Sequence, residues 1–91
     1  MEYVIFLLVI IMNRLKDLRE EKDLTQSDVA KELGLGQAGY SKYENEKNNV
    51  PVEVLRKLAK FYDTSIDYLL YLTDTRKAYP KSKIEEIDAL K

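Results

Sequence analysis

The stretch from Gln26 to Asn45 carries a spacing that few folds can satisfy. Val29, Ala30 and Leu33 fall on one face of a helix that Thr25 can cap, with Asp28 three residues on completing the reciprocal cap. Gly34 suits the end of that helix, because a residue there must take positive φ. Apolar side chains return at Leu35, Tyr40 and Tyr43, on a helix expected to begin near Gly36 or Gln37 and to run to about Glu44. Two helices that cross steeply through a turn of three or four residues need a small residue at the crossing and a left-handed residue in the turn. Ala30 and Gly34 meet both needs. Each feature alone is weak, but satisfied together they specify the pair. Tyr40 and Tyr43 read as core residues of that pair rather than as stacking platforms.

The flanking sequence extends the pattern into an all-α domain over residues 12–74. Asn13 can cap a first helix bearing Leu15 and Leu18, with Leu24 just beyond its end. Val50-Pro51 opens a fourth helix whose stripe is Val54, Leu55, Leu58, Ala59 and Tyr62. Thr64 or Ser65 caps a fifth, containing Ile66, Leu69, Leu70 and Leu72. Residues 75–91 read as a linker broken by Pro80, then a short helix begun by Ser82 and Glu85. The basic residues Arg76, Lys77, Lys81 and Lys83 read as a solvated linker. Tyr68, Tyr71 and Tyr79 form either a surface patch or partly buried helix contacts, the latter being the cheaper arrangement.

Composition narrows the function classes. A chain of 91 residues, 45% apolar, supports one core. It has no cysteine, which removes disulfides and thiolate metal sites and fits a reducing cytoplasm. It also has no histidine, which removes imidazole metal ligands and Ser-His catalysis. No metal, cofactor or enzymatic activity is therefore expected. The net charge of −1 argues against strong non-specific affinity for phosphates, although cations gathered on one face would suffice for a specific site.

The beginning of the chain is unlike the rest. Tyr3 to Met12 is an unbroken apolar run, too short for a bilayer span of roughly 20 residues and preceded by Glu2 rather than a basic signal-peptide region. Its β-branched content favours a strand, and a lone strand is unstable in water. Residues 1–11 are accordingly read as an oligomerisation element in which Tyr3, Val4, Ile5, Phe6, Leu7, Leu8, Val9, Ile10 and Ile11 pair with a second copy. The alternative is a start upstream of the natural one, since Met12-Asn13-Arg14 is itself an ordinary beginning.

The segment TQSDVAKELGLGQAGYSKYENEK, followed by PVEVLRKLAKFYDTSIDYLLYLTD, resembles the lambda-repressor/Cro-like (XRE) helix-turn-helix family over Met12 to about Asp74. The resemblance implies a five-helix bundle whose third helix enters the major groove of double-stranded DNA. It also implies a transcription regulator, expected to be a repressor acting as a homodimer on an operator. The competing class is a protein-interaction module, such as an antitoxin or a phage or mobile-element regulator with weak DNA binding.

The same resemblance assigns residues. Gln26 would donate to a phosphate, and Gln37 would bond adenine N6 and N7. Ala38, Gly39, Ser41 and Lys42 would complete the exposed face, with Ala38 against a thymine methyl and Lys42 on a phosphate. Asn45, Lys47, Asn48 and Asn49 would contact the backbone. Arg19 and Glu44 would form an internal ion pair. The sequence departs from the family pattern at Gly36, where Ser or Thr is usual, at Ala38 and Gly39, where larger polar residues often read bases, and at Glu46, where glycine is frequent. These departures imply modest affinity and some reliance on DNA shape.

Overall fold

The computed structural model describes residues 12–45 and 49–84. Among them run five α-helices and no strand: α1 Leu15–Glu21, α2 Gln26–Leu33, α3 Gln37–Glu44, α4 Val52–Phe61 and α5 Ile66–Leu69. The expected strand at residues 1–11 lies outside the described residues, as do Glu46, Lys47 and Asn48. Lys83 and Ile84 have helical geometry, and the remainder of the expected last helix also lies outside them.

None of these helices is long enough to be stable alone in water, so each depends on burying its apolar face. The core gathers Leu15 and Leu18 of α1, Val29, Ala30 and Leu33 of α2, Tyr40 of α3, Leu58 of α4 and Leu69 of α5. Tyr40 is 0% exposed and fills the centre, while Tyr43 is half-buried at its edge. α2 packs on α3, and α4 on α5 and α2.

The helices start and stop for local reasons. Thr25 Oγ1 accepts from Asp28 N–H at 3.1 Å while Asp28 Oδ2 accepts from Thr25 N–H at 2.9 Å, the reciprocal cap of α2. Hydrogen bonding to Thr25 holds the Asp28 carboxyl below the usual carboxylate range. Ser65, not Thr64, caps α5 by accepting from Tyr68 N–H at 3.0 Å. Thr64 instead donates its hydroxyl to Arg76 O. Pro51 sits at the cap of α4, one residue before its first helical position.

Four helices end in the same way, on a left-handed residue: Asp23 after α1 (φ 55°), Gly34 after α2 (72°), Asp63 after α4 (51°) and Tyr71 after α5 (62°). In each, the next N–H reaches the carbonyl five residues back: Leu24 to Arg19, Leu35 to Ala30, Thr64 to Ala59 and Leu72 to Asp67. This reversal ends α5 after Leu69 and leaves Leu72 67% exposed, so Leu72 is not part of the expected apolar stripe.

The first described residues are stitched to the last helix. Arg14 N–H donates to Leu69 O at 2.8 Å, and the Arg14 guanidinium lies 4.1 Å from the centroids of both Tyr68 and Tyr71. It also donates to Tyr68 O at 2.7 Å and Thr73 O at 3.1 Å. Tyr68 and Tyr71 are thus helix contacts, while Tyr79 is 62% exposed and donates to Asp67 Oδ2 at 2.9 Å. Arg76 pairs with Glu21 at 2.8 Å, so it is not a free linker cation.

The two glycines flanking the helix pair's outer edge predict opposite signs for one substitution. A Cβ at Gly34 meets nothing within 4 Å, but φ of 72° strains any L side chain. Gly34→Ala should therefore cost about 1–2 kcal/mol. A Cβ at Gly39 also meets nothing, and the residue lies within α3. Gly39→Ala should stabilise by about 1 kcal/mol. Thermal melts of the two variants would read both, and a shift of the same sign in each would contradict the assignment.

Candidate nucleic-acid interface

α2 and α3 meet across a turn whose close approach rests on Ala30, which is 1% exposed and accepts the Leu35 N–H at 2.8 Å. Beyond the turn, Tyr40 anchors α3 from within. Gln37, Ala38, Gly39 and Lys42 are exposed on it, as is Asn45 at its C-terminal cap, and Ser41 is half-buried. Gly36 caps α3 with backbone alone and supplies no side-chain bond, which leaves its first N–H groups open to an outside acceptor. Asn45 Nδ2 donates to Ser41 Oγ at 3.1 Å, closing the exposed edge at its far end.

The inner end of α3 is fixed by charge. Arg19 Nε donates to both oxygens of Glu44 at 3.1 and 2.9 Å, Nη2 donates to Oε1, and Nη1 reaches Leu24 O at 2.8 Å. Glu44 is only 4% exposed. Burial alone would raise its carboxyl, but hydrogen bonds led by Arg19 outweigh that and hold it below the usual carboxylate range. The same hydrogen bond with Glu44 raises Arg19. The Tyr40 and Tyr62 hydroxyls are buried beside Glu44. Burial first, and then the charge of Glu44, push both up, Tyr62 to about 12.

From this buried pair a polar chain runs outward. Gln26, the first residue of α2, donates Nε2–H to Glu44 Oε1 at 3.4 Å, and its Oε1 accepts from Gln37 Nε2–H at 2.8 Å. Gln26 thus has one N–H committed inward and one left, and Gln37 keeps one N–H and its carbonyl oxygen outward. Asn13, expected as the cap of α1, divides its amide. Its Oδ1 accepts from Leu15 N–H at 3.1 Å, and its Nδ2 donates to Tyr43 O at 2.9 Å, near the end of α3. Arg14 takes the cap position.

Gln26, Gln37, Arg19 and Glu44 are therefore one connected group; Ala38, Gly39, Ser41 and Lys42 share α3 with Gln37 and Glu44, and Asn45 caps that helix. Asn49 is exposed beyond α3. Lys47 and Asn48 lie outside the described residues. Sequence reasoning missed Asn13 as an anchor of α3 and the bond between the two glutamines.

Comparison with known proteins fits this architecture. A family model described as helix-turn-helix matches residues 15–69. The chain belongs to the lambda-repressor/Cro-like (XRE) helix-turn-helix family.

Among relatives of this XRE chain, an uncharacterized HTH-type transcriptional regulator, YobD of Bacillus subtilis, is 39% identical over 79% of this chain and 61% of its own length. The cryptic phage CTXphi transcriptional repressor RstR of Vibrio cholerae is 38% identical over 86% of this chain and 71% of its own. Antitoxin HipB of Escherichia coli is 31% identical over 77% and 75%. The match thus spans less than two thirds of the Bacillus relative. No solved structure gives a significant match. Among the described residues no helix is long and apolar enough to cross a membrane, and no group of acidic side chains could hold a metal ion.

Because Glu44 is held below its ordinary range in the fold, its contribution to stability is complete above about pH 4.5 and disappears as pH falls through the folded value. Glu44→Gln should lower stability at pH 7 and flatten the acid limb of a stability–pH profile. Glu44→Ala, which leaves the Arg19 guanidinium without its carboxylate, should cost about 3–5 kcal/mol. Denaturant titrations from pH 3 to 7 would check both, and an unchanged acid limb in Glu44→Gln would exclude the linkage.

Proposed function

We propose that the chain is a sequence-specific regulator of transcription that binds double-stranded DNA, laying the exposed edge of α3 in the major groove. The observation that carries this reading is the Gln37 amide, exposed on a helix anchored by a buried ion pair and already oriented by Gln26. An amide presenting one acceptor and one donor matches adenine N7 and N6–H. In this reading Ala38 and Gly39 let the helix come close to the groove wall, and Ser41 supports readout. Gln26 uses its remaining N–H on a phosphate, while Lys42, Asn45, Lys47, Asn48 and Asn49 follow the backbone.

One module reads few base pairs, so the reading includes a homodimer on two half-sites, with repression as the outcome, as in the name of the Vibrio relative. The segment Tyr3–Ile11 is the proposed contact between copies, on its apolar sequence. Removing residues 1–11 should then lower the mass in solution from dimer to monomer by light scattering, and an unchanged mass would end that part of the reading. The HipB relative, named an antitoxin, favours a second reading in which protein contact is primary and DNA binding weak.

Retention of DNA on a gel separates the two. Binding to the protein's own upstream region should be specific and weaken as salt rises. Gln37→Ala should cost about 1–3 kcal/mol and relax one base position, whereas Lys42→Ala should weaken all sequences alike and make the salt dependence shallower. No retention even at low salt would exclude the first reading and leave the second.

A further inference from the structure

The C-terminal parts of α2 and α4 leave an open groove of about 410 Å³, lined by Leu33 and Phe61 and bordered by Glu32, Lys57 and Lys60. It lies at the other end of α2 from Gln26, the residue that meets Gln37. Phe61 is half-buried, its ring edge-on to Tyr62 with centroids 4.9 Å apart, so its place is set from within. Lys22, at the end of α1, stands 5.9 Å from the Phe61 centroid. Lys57 Nζ donates to Leu33 O at 3.2 Å, which holds its charge over the end of α2. Three ammonium groups and one carboxylate thus surround an apolar floor, a seat for apolar side chains flanked by acidic ones.

The chain itself carries a segment of that chemistry. Ile84, Ile87 and Leu90 recur at the spacing of one helix face, and Glu85, Glu86 and Asp88 stand between them with no basic residue. Lys83 and Ile84 have helical geometry, and Ile84 is 73% exposed, so its own domain does not cover it. A helix this short is marginal in water unless a surface receives its apolar side. The residues before it are pinned down. Thr64 donates its hydroxyl to Arg76 O, Arg76 pairs with Glu21 beside Lys22, and Tyr79 donates to Asp67. The tail therefore leaves the domain on the side where Lys22 meets Phe61, and the five residues from Tyr79 to Ile84 reach at most about 17 Å.

We propose that residues 84–90 of one copy dock as a helix in the Leu33–Phe61 groove of a second copy, and that the exchange is reciprocal. Ile84, Ile87 and Leu90 cover the apolar floor, and the three carboxylates meet the lysine border. Because each tail departs beside its own groove, a two-fold axis between the two grooves lets both short tails cross. Two such tails bury too little to hold a pair alone, so the contact adds to the one proposed for Tyr3–Ile11 and strengthens it. The inference rests on the homodimer of the proposed function and is independent of DNA readout.

An exchange of charges tests it in the full chain. Glu85→Lys with Glu86→Lys reverses the tail, which lies outside the five helices. Lys22→Glu with Lys60→Glu reverses the groove and leaves Lys57 on Leu33 O. Each reversed chain should self-associate more weakly than the unaltered chain by roughly tenfold or more, because like charges now face each other. An equimolar mixture of the two should recover the original affinity in sedimentation equilibrium, since both tail–groove contacts of the mixed pair again join opposite charges. Ile87→Asp should weaken association as well, and mixing it with the groove-reversed chain should not recover it.

Unchanged association in either reversed chain would overturn the proposal while leaving the homodimer intact. Weakening in both without recovery on mixing would overturn it too, and is the result expected of a tail that folds back onto its own groove. If the unaltered chain stays monomeric at every concentration, the homodimer itself fails, and the exchange with it.

Discussion

Glu44 ends α3 inside the protein, and a buried carboxylate is tolerable only if its lost hydration is replaced by hydrogen bonds. Arg19 replaces it from α1 with a paired set of donors, and Gln26 adds one from α2. The Arg19 guanidinium also takes Leu24 O, in the reversal that leads from α1 to α2. The end of α1, the start of α2 and the end of α3 therefore converge on one carboxylate. Such a pair is a poor source of net stability, since desolvation offsets much of the attraction. Its value is geometric, because apolar contacts alone would let a short helix rotate by a fraction of a turn. A directional pair at one end of α3 and the Tyr40 ring in the middle leave the exposed edge one orientation.

The rest of the bundle serves that arrangement by economy of length. Short helices are weak elements, and here they are joined by tight reversals through left-handed residues rather than by loops. Only Gly34 takes that geometry without a Cβ. Asp23 and Asp63 belong to a residue type that tolerates it, whereas Tyr71 does not, and its strain is held by the stack on Arg14. That stack, with the Arg14 bonds to α5 and to Thr73, closes the first described residues onto the last helix. Arg14 thus ties α1 to α5 as Arg19 ties it to α3, each a guanidinium whose planar donors join segments distant in sequence.

How much of this was legible in the sequence follows from the range of each interaction. The reciprocal cap of Thr25 and Asp28, the stop at Gly34, the cap at Ser65 and the apolar stripes of α2 and α4 are local, and periodicity with capping chemistry reveals them. The family pattern supplied the pairing of Arg19 with Glu44, which no spacing rule would give. The bond from Gln37 to Gln26 was invisible, because it depends on the crossing of two helices that the motif specifies only coarsely. Asn13 was legible by half: its Oδ1 accepts from Leu15 N–H as a capping residue would, but the bond from its Nδ2 to Tyr43 O joins residues thirty apart in sequence. Leu72 misled because a tyrosine in left-handed geometry ends α5 early, and no residue-type preference points to tyrosine there.

The exposed face of α3 is spare, and its sparseness shapes the proposed function. Gly39 contributes nothing that the fold requires, since its Cβ position is open space and its helix would be stabler with alanine. Whatever that glycine does, it does on the outer side, where bare backbone admits a closer approach than any side chain would. Ala38 beside it offers only a methyl, and the one cation on α3 is Lys42. In the proposed reading, direct readout then concentrates in a single amide. A protein with many base contacts can leave one glutamine free to turn. Were Gln37 the base reader, the hydrogen-bonded chain from Arg19 through Glu44 and Gln26 would be a constraint on it. In that reading modest affinity per module and a single base-reading amide go together, and the proposed second copy would supply the surface that one module lacks.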